Sequence, residues 1–304
     1  MLTQALKKQI LQLQEKDVSF EEPMRKHTSF QIGGPAEVFI EPCSPEVFGD
    51  FIRFFRQESV PFLVIGAGSN LLVGDRGIRG AVIKMGKAFD FLKQEDDGIT
   101  AGSGVSLAKA AGFAAGLGFS GLEFASGIPG QVGGAVYMNA GAYGGEMKDI
   151  VIRTEYLDGN GEKKVVSGAE HAFVYRGSVF SGGERYILST RFVLAPKPEE
   201  EIRALMRELN RRRKEKQPLE YPSAGSTFKR PEGYFAAKLI EDAGLKGMCV
   251  GGACVSEKHA GFVINKTGQA TAADVRALIE KIKEVVCAKF GVELCCEIKQ
   301  VGEF

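Results

Sequence analysis

Near the middle of the chain runs Ser126-Gly127-Ile128-Pro129-Gly130-Gln131-Val132-Gly133-Gly134-Ala135. Little in it can pack. Ile128 and Val132, four residues apart, anchor it, and the segment continues into Asn139-Ala140-Gly141-Ala142-Tyr143-Gly144-Gly145. So bare a backbone lets N–H groups approach a diphosphate with no side chain in the way. The competing reading is close packing of a helix on a sheet. Fourteen of the 39 glycines lie between Gly98 and Gly145, so the glycine excess is local. It has no three-residue period, which excludes collagen, and apolar residues accompany it, which excludes a linker.

A second glycine turn, Gly66-Ala67-Gly68-Ser69-Asn70, follows the apolar run Pro61 to Ile65. It fails the dinucleotide fingerprint G-x-G-x-x-G because Leu71 stands where the third glycine belongs. A short turn after a strand still aims successive N–H groups as an anion nest, or it is an ordinary turn between strands. Two such elements in one chain suggest one extended ligand with a pyrophosphate, such as a dinucleotide.

Composition bounds the rest. The 304 residues are 44% hydrophobic and 25% charged with net charge +1, which excludes a disordered chain and predicts two or three globular domains. Near-zero charge argues against attraction to nucleic acid or an anionic membrane. No apolar stretch of 18 residues predicts a membrane span, and Leu2, Leu6, Ile10 and Leu13 recur at helical spacing among lysines, unlike a signal peptide. A cytoplasmic protein is expected, and a monomer, since no exposed apolar repeat suggests an obligate interface. The cysteines (Cys43, Cys249, Cys254, Cys287, Cys295, Cys296) hold no CxxC pair and no metal-ligand spacing, so they read as reduced, mostly buried small hydrophobes.

Patterning predicts a strand over Ala36 to Glu41 and a helix over Pro45 to Gln57 with Ser44 as cap. A hairpin turns at Asp158-Gly159-Asn160-Gly161, with a further strand over Tyr186 to Leu194. Breaks near residue 85 and at Ala195-Pro196-Lys197-Pro198 divide the chain into 1–85, 86–197 and 198–304. The third part opens with a helix ending in Arg211-Arg212-Arg213-Lys214 and Lys216, either a solvated cationic helix end or a contact for a small polyanion. A loop over Pro218 to Pro231, a helix near Phe235 to Ala243, a helix capped by Thr271 with Asp274, and a strand over Val292 to Ile298 follow.

Three further places suggest chemistry. Arg176, between Tyr175 and Gly177 in Phe173-Val174-Tyr175-Arg176-Gly177-Ser178, is a fork for a carboxylate or a surface arginine. Ser226, in Ser223-Ala224-Gly225-Ser226-Thr227-Phe228, has small neighbours that leave its hydroxyl open as a proton donor or phosphate contact, or it belongs to a plain turn. It is no nucleophile elbow, since Phe228 takes the second glycine's place. Glu297 shares one strand face with Glu293 and Cys295, pointing to solvent or into a cleft.

Together these pieces resemble the UDP-N-acetylenolpyruvoylglucosamine reductases, in their shorter type II branch. The matching segments are HTSFQIGGPA (27–36), GAGSNLLV (66–73), SGIPGQVGGAVYMNAGAYG (126–144), FVYRGS (173–178), KQPLEYPSAGSTFKRP (216–231) and HAGFVIN (259–265), in family order. The resemblance implies an α+β fold. Two FAD-binding subdomains of the vanillyl-alcohol-oxidase (PCMH) type are followed by a C-terminal α/β substrate-binding domain. It implies FAD as cofactor, NADPH as hydride donor and a UDP-linked sugar as substrate in bacterial peptidoglycan synthesis. Gly66, Ala67, Gly68, Ser69 and Asn70, with Ser126, Gly127, Ile128, Pro129, Gly130, Gly133 and Gly134, would hold FAD. Arg176, Ser226 and Glu297 match the catalytic residues, with Ser226 as proton donor. Tyr175, Lys216, Arg230 and His259 match substrate-facing or site-stabilising positions. Arg230 departs from the asparagine some members carry there. No metal is implied.

Overall fold

The computed structural model describes residues 2–304. The chain folds as two compact units, the first made of residues up to 19, 39–67 and 80–213, the second of 20–38, 68–79 and 214–304. The strands Val18–Pro23, Pro35–Ile40 and Ile78–Lys84 each have residues in both.

In the first unit, the helix Pro45–Gln57 starts where Ser44 accepts the Val47 N–H at 3.2 Å, and it buries Phe48, Phe51, Ile52 and Phe55 completely. Phe62–Ile65 then runs parallel to Ile78–Lys84, with Phe62 opposite Ala81. A five-stranded antiparallel sheet follows in the order Lys163–Ser167, Val151–Asp158, Arg185–Val193, Gly98–Gly102, Leu92–Glu95. The Asp158 to Gly161 turn forms the expected hairpin: the Asp158 carboxylate accepts the N–H groups of Asn160 (2.9 Å) and Glu162 (3.0 Å). Leu107–Gly116 and Val132–Tyr137 are two further short helices of this unit, and Ile99, Ala101, Leu107, Ala111, Val132, Val136 and Phe192 share its core.

The second unit holds a four-stranded antiparallel sheet in the order Ser223–Ser226, Phe262–Asn265, Ala253–Val255, Cys249–Val250. The helices Ala236–Asp242 and Ala272–Phe290 pack Leu239, Ile240, Val275, Leu278, Ile279, Ile282 and Val286 into one core with Val255 and Val263. The longer helix carries the capping box read from Thr271 and Asp274 and ends on Gly291 at φ 68°.

Four expectations change. The Pro218 to Pro231 segment is not all loop, since Ser223–Ser226 is a strand whose partner, Phe262–Asn265, is distant in sequence. Val292 to Ile298 is not a regular strand; Lys299–Val301 is, parallel to Leu71–Val73. The alternation of faces survives there, with Leu294 and Ile298 buried and Glu293 and Cys295 exposed. The helix Glu199–Lys216 begins in the first unit, so packing places the division after Arg213 rather than before Pro198.

The cysteines are the fourth correction: only Cys254 is fully buried, Cys296 is half-buried, and Cys43, Cys287 and Cys295 are exposed. Cys249 and Cys254 form a disulfide, because the turn through Gly251 and Gly252 sets them directly opposite each other on paired strands.

Candidate active site

Arg176 sits at a tight turn in the first unit. Val174 and Gly177 exchange backbone hydrogen bonds of 3.0 and 3.2 Å, which leaves Tyr175 and Arg176 as the two turn residues. Arg176 is held at φ 57°, a left-handed conformation that costs an arginine energy and that glycine would adopt freely. Its guanidinium lies 5.0 Å from the centre of the Tyr175 ring, and both side chains reach the surface. The turn is tied from beneath by Asn139, only 1% exposed, whose amide donates to the Val174 carbonyl (3.2 Å) and to a Glu146 carboxylate oxygen (2.9 Å). The Lys148 N–H donates to the Asn139 side-chain oxygen at 3.0 Å. Hydrogen bonds from Lys148 and Asn139 hold Glu146 below the usual carboxylate range, and the Arg176 charge adds to this.

The long glycine stretch does two things at once. The Leu107 N–H donates to Gly130, while Val132 and Gly133 donate to Val105 and Ser103, at 2.9 to 3.0 Å. The Val132 and Gly133 N–H groups and the Gly130 carbonyl are therefore committed to protein, and the close-packing reading holds for this part. Gly127 faces elsewhere: Arg213 donates to its carbonyl at 2.8 Å, and a Cβ there would collide with Asn210. Gly134 has open space where a Cβ would go.

The basic run splits. Arg211 and Arg212 are exposed and both pair with Glu208 (2.9 and 2.6 Å), holding its carboxyl down at about 2, as a solvated helix end should. Arg213 is 8% exposed and so departs from the solvated-end reading that fits its neighbours. Burial works against its charge and the nearby Tyr143 works for it.

Three buried atoms test whether a dinucleotide suits this region. Ser103 Oγ, Gln131 Oε1 and Arg213 Nε have no hydrogen-bond partner, three of four such side-chain atoms among the described residues. Each belongs to a residue beside a predicted glycine: the Ser103 Cβ lies 2.8 Å from a Cβ built on Gly133, Gln131 Oε1 lies 2.8 Å from one on Gly66, and Arg213 holds Gly127 through Nη1. Buried polar atoms are almost always paired, so orphans gathered along two glycine turns fit a polar ligand.

In the second unit the structure brings Ser226, Glu297 and Asn70 together. Ser223 pairs with Ile264 but Ser226 with Phe262, so the strand bulges at Ala224 and Gly225, where Gly225 has φ 76°. A bulge re-aims the residue after it, and Ser226 stands exposed between buried Ala224 and Thr227. Alongside, the Lys229 N–H donates to Cys295 and the Glu297 N–H to Thr227, both at 2.8 Å, with Phe228 bridged to Cys296. Asn70 donates its amide to the Glu297 carbonyl (3.2 Å), and its own carbonyl accepts the Lys299 N–H (2.9 Å). Gly68, at φ 64°, lies so close to the His27 carbonyl that no Cβ fits.

His259 supports this strand. Its Nδ1 accepts the Gly261 N–H at 3.1 Å, the Gly261 carbonyl accepts the Thr227 N–H at 2.8 Å, and burial lowers the imidazole pKa. Lys216 and Arg230 are both exposed, with the Arg230 guanidinium 4.0 Å over the Phe235 ring. The sequence alone singles out neither Ser103, nor Arg213 within its basic run, nor Asn139 within its glycine-rich stretch.

Residues 36–167 of this α+β chain match the FAD binding domain family, and the glycine turns beside orphaned polar atoms lie where such a nucleotide would be held. Residues 217–301 match the C-terminal domain of UDP-N-acetylenolpyruvoylglucosamine reductase. The curated enzyme of that name from Agathobacter rectalis is 54% identical over 96% of both chains. That from Caldanaerobacter subterraneus subsp. tengcongensis is 53% identical, again over 96% of each. The crystal structure of the Thermus caldophilus enzyme, 36% identical, superposes with a TM-score of 0.80 over 93% of this chain and 98% of that one. The chain belongs to the UDP-N-acetylenolpyruvoylglucosamine reductase family.

Proposed function

We infer that this protein is an FAD-dependent reductase that uses NADPH to convert UDP-N-acetyl-3-O-(1-carboxyvinyl)-glucosamine to UDP-N-acetylmuramate, a peptidoglycan precursor. The single observation that carries the residue assignment is the backbone lacing of Glu297 to Thr227, one residue from an exposed, bulge-directed Ser226. When bound, FAD supplies hydride received from NADPH to the enolpyruvyl methylene carbon.

The chain's own residues do the rest. The Gly66 to Asn70 turn and the Ser126 to Gly134 stretch hold the cofactor, with Ser103, Gln131 and Arg213 supplying polar contacts to it. Arg176 pairs with the substrate carboxylate and stabilises the negative charge that builds beside it, an effect worth about 3 kcal/mol when donors are preorganised. Its left-handed backbone is the sort of strain an active site maintains. Ser226 delivers a proton to the carbon next to the carboxylate, and Glu297 polarises the same enol system. Tyr175, Lys216 and Arg230 contact the sugar nucleotide, while His259 keeps the Ser226 strand in register through Gly261. By role, residues 1–85 and 86–197 chiefly serve the flavin and 198–304 the substrate, with Tyr175 and Arg176 added to the substrate side and Arg213 to the flavin side. The protein works as a monomer in the bacterial cytoplasm, where a nucleotide-linked precursor is made.

Ser226→Ala separates the two half-reactions. Reduction of the flavin by NADPH should stay within about twofold, while reoxidation by the enolpyruvyl substrate slows by on the order of 10²–10⁴-fold. Equal loss in both would make the serine structural and remove it from the mechanism.

A further inference from the structure

We propose that Cys295 and Cys296 form a two-thiol site for a soft, dithiol-seeking electrophile of the trivalent-arsenic class, and that filling it blocks the substrate half-reaction. The proposal rests on the roles given above to Ser226 and Glu297. Cys295 is exposed and Cys296 half-buried, and neither takes part in the disulfide. Their Cα atoms are about 3.8 Å apart as neighbours across a trans peptide, so one bridging atom reaches both sulfurs once the two side chains turn to the same side. Direct oxidation would instead close an eight-membered ring that a trans peptide accommodates poorly.

One cation stands beside the pair. Lys283, held by Glu280 at 2.8 Å, projects its ammonium within electrostatic reach of both sulfurs. Burial pushes the Cys296 thiol up, and Lys283 pulls against that shift. With an arsenoxide R–As=O, two As–S bonds form and the As=O bond breaks. Both thiol protons leave with the oxygen as one water, and arsenic stays trivalent, so no oxidant is needed.

Position makes the site consequential. The three residues from 295 to 297 are laced to 227–229 by the Cys295 carbonyl, the Cys296 bridge and the Glu297 N–H. In an extended backbone neighbouring side chains point to opposite faces, so a clamp that gathers Cys295 and Cys296 to one side must twist this segment. The twist falls on the residue before Glu297 and opposite the one two beyond Ser226. Displacement by an ångström at a catalytic group costs on the order of 10²-fold.

The test titrates the FAD-loaded enzyme with phenylarsine oxide and follows intact mass together with both half-reactions. One equivalent should bind, flavin reduction by NADPH should be unchanged, and reoxidation by the enolpyruvyl substrate should fall by about 10²-fold. 2,3-Dimercaptopropanol should reverse the loss and 2-mercaptoethanol should not. Cys295→Ser and Cys296→Ser should each retain flavin and activity but lose stoichiometric uptake, whereas Cys249→Ser and Cys287→Ser should keep it. Uptake that survives Cys295→Ser and Cys296→Ser, or vanishes with Cys249→Ser, overturns the site. One equivalent bound with undiminished reoxidation overturns its consequence. If untreated enzyme never reoxidises with substrate, the functional reading fails, while the mass shift still decides the site.

Discussion

Asn139, itself at φ 46°, donates its side-chain amide to the Val174 carbonyl at 3.2 Å, and so holds the turn that presents Arg176. The same amide reaches Glu146, whose charge lies near Arg176. One buried side chain therefore sets both the backbone and the electrostatic surroundings of the arginine proposed to meet the substrate carboxylate.

Asn139→Ala should cost about 1–3 kcal/mol of stability, because the Lys148 N–H loses its partner and the Val174 carbonyl keeps only the Gly177 N–H. Flavin content should stay normal while the KM for the enolpyruvyl substrate rises. Thermal denaturation and half-reaction kinetics check this together. A variant with lowered stability but unchanged kinetics would confine Asn139 to folding.

Gly134 tests the cofactor assignment without disturbing the fold. A Cβ there meets nothing within 4 Å, and alanine is favoured over glycine in a helix by about 1 kcal/mol. Gly134→Ala should leave the apoprotein as stable as before, or more so, yet weaken FAD binding by at least about tenfold through a clash with the bound cofactor. Equilibrium titration of flavin fluorescence measures it, and unchanged affinity would move the cofactor away from this helix.

Acid should destabilise the first unit before its carboxylates titrate. His171 is fully buried, its Nδ1–H donating to the Gly168 carbonyl (2.9 Å) and its Nε2 accepting the Thr154 hydroxyl (2.9 Å), and burial lowers its pKa. The unfolded chain takes up a proton near pH 6.5 that the folded imidazole refuses, so stability is present above that pH and lost as pH falls below it. The loss from this one group is about 1.4 kcal/mol per pH unit below about 6.5 until the folded imidazole itself protonates. Denaturation midpoints from about pH 7.5 to about pH 5.5, a window that brackets the unfolded histidine, should show the slope, and His171→Gln should flatten it.

Much of this is legible from local pattern. Ser44 before Pro45 and Thr271 before Asp274 mark two helix starts, and Asp158 to Gly161 marks a hairpin, because caps and turns are chemistry within a few neighbouring residues. The Ser223–Ser226 strand is hidden by its own composition: small residues have low strand propensity, and its pairing comes from Phe262–Asn265. Arg213 lies inside a run of cations, where nothing local distinguishes the buried one from Arg211 and Arg212. Asn139 reads at first as one more member of a glycine-rich stretch, though an asparagine among glycines is itself a signal for a left-handed backbone. The disulfide has a sequence trace too, since Cys249 and Cys254 flank Gly251-Gly252 symmetrically.

The most direct measurement is anaerobic oxidation of NADPH by the FAD-loaded protein, with and without the enolpyruvyl sugar nucleotide. Sustained NADPH consumption is expected only when that substrate is present, with UDP-N-acetylmuramate formed one for one. Multiple turnovers without it, or a single flavin reduction that the substrate never reverses, would contradict the account.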